Sequence, residues 1–260
     1  MMSHDENGTY RSGKAGASYD LIVSLGGNCA VAQQLVWRNK RPFSLGLDWL
    51  SMPDEKPVRF LVQAFGNKFK DFAQKENLED LTGAFPDVNP SLIVYGDRVS
   101  GFLFLHQFPL RQSNPAWYDS GGPKLQMRID RMFSAVARCQ RVLFILATPF
   151  PYEDDLVDEL VRAVRAAFPS VTCDFRMMMF NAGKDEEVLR ESFEVVRIKR
   201  PIHRYDLYAT SAVWAFLDDI EVTKCQHPAL RGLNRLYYRL WKHLGKKVKR
   251  CGVKTDFVFR

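Results

Sequence analysis

Apolar residues follow two different periods along this chain, and the periods separate strands from helices. Leu21, Ile22, Val23 and Leu25 form a short apolar run, and residues 141–149 ("RVLFILATP") form a longer one. Strands covered by helices on both faces need such uninterrupted runs. Residues 171–180 ("VTCDFRMMMF") and 193–200 ("FEVVRIKR") predict two more strands. Residues 91–96 and 101–108 predict a hairpin across the four residues between them. Elsewhere the apolar positions recur at the helical period. Helices are predicted over 57–72, with Pro57 in its first turn, over 121–140, over 153–168 and around 206–220. In the second of these stretches Leu125, Ile129, Met132, Phe133 and Val136 share one face.

Strands alternating with helices predict a three-layer α/β/α domain around a largely parallel or mixed sheet. The runs at 21–25 and 142–146 are expected as neighbouring central strands, and the hairpin is expected to make the sheet mixed. Residues 18–222 are read as this domain and residues 1–17, polar and without an apolar core, as a loose leader. Residues 223–260 are read as a basic amphipathic extension.

Charge supports that division. The net charge is +7, yet residues 221–260 alone carry eleven Lys/Arg and two Asp/Glu. The rest of the chain is close to neutral, so an anionic partner is expected at the C-terminal end. There Leu230, Leu233, Tyr237, Leu240, Trp241 and Leu244 recur at helical spacing among Arg231, Arg235, Arg239, Lys242, Lys246 and Lys247. Over residues 230–250 that pattern suits either an anionic membrane surface or a helix docked on its own domain. No nucleic-acid motif accompanies it, so nucleic acid is not expected as a partner. No apolar stretch reaches the roughly 20 residues of a membrane span. A cytoplasmic protein, peripheral at the inner membrane face, is the expected location. The five cysteines, Cys29, Cys139, Cys173, Cys225 and Cys251, show neither metal-ligand spacing nor a paired framework, which predicts free thiols and no metal.

The chemistry is concentrated at "SLGGNCAVAQQL", residues 24–35. Gly26 and Gly27 permit a tight turn, Asn28 is a candidate N-cap, and Cys29 falls in the first helical turn. Unsatisfied N–H groups and the helix dipole favour a thiolate there, so the Cys29 pKa is expected to fall. A buried, inert cysteine is the alternative. A cysteine nucleophile needs a base and an orienting group. His106, in "FLFLHQF", is the candidate base, with His203 as competitor, and Asp48, in "GLDWL", is the candidate third member. Gly26, Gly27 and Asn28 offer an oxyanion site, and Arg128 and Arg131, three residues apart, offer a hold for an anionic substrate group.

These segments resemble a bacterial family of papain-like cysteine peptidases classed as a domain of unknown function. Its pattern runs S-L-G-x-x-C, then P-F-D-W, then H-D-F, then an arginine-bearing helix before an apolar strand. The resemblance covers residues 21–147. It implies Cys29 as nucleophile, His106 as general base and Asp48 as the orienter of His106, with no cofactor. Two positions depart from the pattern: Gly46-Leu47-Asp48-Trp49 stands for P-F-D-W, and His106-Gln107-Phe108 lacks the acidic residue. The expected function is thiol-dependent hydrolysis or acyl transfer on a peptide, ester or glycan-linked substrate. The alternatives are an enzyme of cell-surface polysaccharide or glycan assembly, and a non-catalytic binding module.

Overall fold

The computed structural model describes residues 16–84, 94–105, 107–108, 116–189, 193–199 and 212–223. His106, His203, the leader before residue 16 and the extension beyond residue 223 lie outside the described residues.

Strand β1 (Ser18–Tyr19) leads into β2 (Leu21–Ser24), and helix α1 (Cys29–Trp37) follows the glycine turn. Next come β3 (Leu50–Ser51), α2 (Lys56–Asn67), β4 (Leu78–Asp80), β5 (Tyr95–Asp97) and β6 (Leu103–Phe104). The long helix α3 (Trp117–Val136), β7 (Arg141–Thr148), α4 (Asp154–Ala167) and β8 (Thr172–Phe180) complete the middle of the chain. Then β9 (Glu186–Leu189), β10 (Phe193–Ile198), a 3-10 turn (Ala212–Leu217) and β11 (Glu221–Val222) close it.

The main sheet has the order β2-β7-β8-β10-β9. Its first four strands are parallel, and β9 runs antiparallel to β10. Alternation along the strands splits the interior into two cores. Leu21, Val23, Phe144, Leu146, Phe175 and Met177 face α2, α3 and α4, while Ile22, Ile145, Ala147, Met178 and Phe180 face α1 and the 212–217 turn. That is the expected three-layer α/β/α arrangement. The runs at 21–24 and 142–145 pair directly and in parallel.

Several expectations need correction. β2 ends the main sheet instead of lying inside it, although all four of its residues are buried. The hairpin forms as β5 and β6, but it belongs to a separate antiparallel sheet of order β3-β6-β5-β4. The main sheet is mixed because of β9, whose half-polar sequence gives no strand signal. The helix expected over 57–72 stops at Asn67, where Lys68 and Phe69 take left-handed backbone angles of 55° and 62°. Of the helix expected over 206–220, residues 212–217 form a 3-10 turn and residues 206–211 lie outside the described set.

Candidate active site at the carboxyl end of β2

The site begins with a turn only glycine can make. After Ser24, whose hydroxyl accepts from Gly26 N–H at 3.2 Å, the chain takes φ of 90° at Gly26 and 102° at Gly27. A Cβ on Gly27 would stand 1.8 Å from the Ala147 carbonyl oxygen. The turn therefore lies flat on the carboxyl end of β7, where loops of α/β sheets gather ligands. Gly27 C=O accepts from Met52 N–H at 3.1 Å, which ties this turn to the segment following Trp49.

Asn28 then caps α1. Its backbone is extended (φ −162°), and its Oδ1 accepts from Ala30 N–H at 2.7 Å. Its amide Nδ2 donates to the Ala147 carbonyl at 3.3 Å, so this side chain is engaged at both ends. Cys29 is the first residue of the helix, as its position after a cap requires. The N–H groups of Gly27 and Asn28 meet no acceptor among the described residues.

Cys29 is half-buried, and burial pushes its thiol up from an ordinary 9.0 to about 11. Its own backbone N–H pulls the other way with less effect. The expected fall in pKa is thus corrected: desolvation of the charged sulfur outweighs the hydrogen bond from its backbone N–H. Sγ–H donates to the carbonyl oxygen of Trp49 at 3.9 Å. Trp49 itself adopts φ of 67°, uncommon for a bulky residue and a form of stored backbone strain.

Asp48, beside Trp49, is 1% exposed. Its Oδ2 accepts from Arg41 and from Leu45 N–H at 2.8 Å, closing the turn that presents Trp49. No donor reaches its Oδ1 among the described residues. Burial pushes the Asp48 carboxyl up, opposed by Arg41, the Leu45 amide and, more distantly, Arg128. The Arg41 guanidinium also lies 5.5 Å from the centre of the Trp49 ring. From α3, Arg131 donates to the Ser44 carbonyl at 3.5 Å and sits 5.7 Å from the Phe43 ring centre. Arg131 thus meets the 43–48 loop, Arg128 acts on it only through charge, and neither hydrogen-bonds the Cys29 turn among the described residues.

A third segment closes on the same oxygen. Gln107 Nε2 donates to the Trp49 carbonyl at 3.4 Å, so Gln107 and Cys29 converge on one acceptor. Phe108 anchors that segment by packing 5.5 Å from Phe104 and 5.6 Å from Trp117, centre to centre. Helix α3 permits the approach because residue 121 is glycine: a Cβ there would lie 2.6 Å from the Gln107 carbonyl. Gln107 was invisible in the sequence as a site residue, where it marked only a missing acid. The described residues also hold no cluster of three metal-ligating side chains.

A mixed, mostly parallel sheet with helices on both faces and a cysteine in the first helical turn after β2 places the chain among three-layer α/β proteins. More specifically, the chain belongs to the family described as "Putative papain-like cysteine peptidase (DUF1796)", whose model matches residues 20–184. No curated protein and no solved structure matches the chain.

Proposed function

We propose that the protein is a thiol-dependent hydrolase or acyltransferase with Cys29 as nucleophile and His106 as general base. One observation carries this reading most of the way: the Cys29 thiol shares the Trp49 carbonyl with Gln107, the neighbour of His106 in the chain. A thiol held neutral by burial is not a spontaneous nucleophile, so its proton must leave as the sulfur attacks.

In this mechanism Sγ forms a bond to the acyl carbon while its proton passes to the His106 imidazole. The carbonyl electron pair moves onto oxygen, facing the N–H groups of Gly27 and Asn28 at the positive end of α1. His106 returns the proton to the leaving amine, alcohol or thiol as that bond breaks. Water or another acceptor then cleaves the thioester and restores the thiol. Asp48 Oδ1 is assigned to the imidazole as orienting acceptor.

The test uses p-nitrophenyl acetate and intact-mass analysis of the full chain. A single acetyl group on Cys29 is expected, absent in Cys29→Ala and formed about 100-fold more slowly in His106→Ala. Acetylation spread evenly over the five cysteines, or indifferent to His106→Ala, overturns the reading.

A further inference from the structure

We propose that Gln107 is a positioning residue for the nucleophile, acting through the Trp49 carbonyl that it holds over the Cys29 thiol. The inference deepens the proposed function, yet its geometric part stands without catalysis.

Three observations meet at one oxygen. Trp49 is bent into a left-handed backbone conformation, φ 67°, which a tryptophan does not choose unaided. Its carbonyl consequently accepts both the Cys29 thiol at 3.9 Å and the Gln107 amide at 3.4 Å. Gln107 cannot drift, because Phe108 is wedged among Phe104, Tyr95 and Trp117 and its own carbonyl lies against Gly121. The thiol is thereby given a fixed acceptor, and with it a fixed direction for its lone pairs.

The chemistry explains why glutamine suits this position. A carboxylate only accepts hydrogen bonds and would repel the Trp49 oxygen, whereas an amide nitrogen donates to it. The residue that departs from the family pattern therefore serves the site by donating, a task the aspartate of that pattern cannot perform when ionised. Donation to a carbonyl favours the neutral form of a thiol, so the same contact keeps Cys29 protonated until a base collects the proton.

The experiment compares wild-type full-length protein with Gln107→Met, which keeps length and apolar bulk but removes the donor. The Cys29 S–H stretching band is isolated by infrared difference against Cys29→Ser. In Gln107→Met this band should shift toward that of a free thiol. Alkylation of Cys29 by iodoacetamide at pH 8 should accelerate about threefold, as loss of one modest hydrogen bond implies. Acetylation by p-nitrophenyl acetate should slow, because the sulfur is no longer aimed. A merely structural role would move both rates in the same direction. An unmoved S–H band with an unchanged alkylation rate overturns the inference. If the band and the alkylation rate change as expected but wild-type Cys29 takes no acetyl group, the positioning role stands and the proposed function falls.

Discussion

At the residue scale, the environment of each side chain decides more than its type. Cys29 has the cap, helix terminus and glycine turn that lower a thiol pKa, yet burial carries it to about 11. Cap and turn are local and were legible from "GGNC", because they depend on residues within a few positions. The desolvation was not, because it comes from segments far along the chain. Gln107 was equally hidden: its partner lies 58 residues away, and no pattern around it marks a donor. Asp48 stands out in the sequence only as a candidate third member, and its partner, Arg41, emerges only from the closed turn. Arg41 is 8% exposed, so neutralising Asp48 removes the carboxylate of a buried ion pair. Asp48→Asn should therefore cost about 3 kcal/mol of stability in urea denaturation. Stability within experimental error of wild type would show that Asp48 is not bracing the Trp49 turn.

At the element scale, the strands with doubly covered apolar sequence were the legible ones, and β2, β7, β8 and β10 form where the runs predict them. Edge elements were not. β9 reads "EEVL", and its strand character depends on pairing with β10, which no local pattern encodes. That pairing places Glu187 beside Glu194 and the buried Arg176. Burial and the Glu194 carboxyl push Glu187 up from 4.5 to about 7, and Arg176 opposes them in part. The folded state therefore favours the protonated form. Its contribution to stability is complete below about 4.5 and is lost as pH rises through about 7. Between pH 5 and 7.5 the wild-type melting temperature should accordingly fall relative to Glu187→Gln. Parallel melting curves for the two proteins across that range would refute a raised Glu187 carboxyl on β9.

At the scale of the whole molecule, the candidate site is assembled from three stretches that the sequence separates widely: 24–29, 41–52 and 107–108. The sheet brings them together, since the Gly27 turn rests on the end of β7 and α3 braces both other stretches. No helix among the described residues is long and apolar enough to cross a membrane. The basic pattern over 230–250 still predicts attraction to anionic lipid, worth about 1 kcal/mol per cation near the surface. Full-length protein should float with anionic vesicles at low salt, and Arg231→Glu with Arg235→Glu and Arg239→Glu should abolish flotation. Unchanged flotation of that triple variant would remove the membrane reading. The central claim, however, is that Cys29 rests as a neutral thiol and reacts only when a base takes its proton. The most direct measurement is the pH dependence of Cys29 alkylation by iodoacetamide, followed by mass spectrometry from pH 6 to the alkaline limit of folding. A neutral resting thiol requires the rate to keep climbing beyond pH 9 toward a midpoint near 11. A plateau reached below pH 8 would mean a preformed thiolate, and would contradict it.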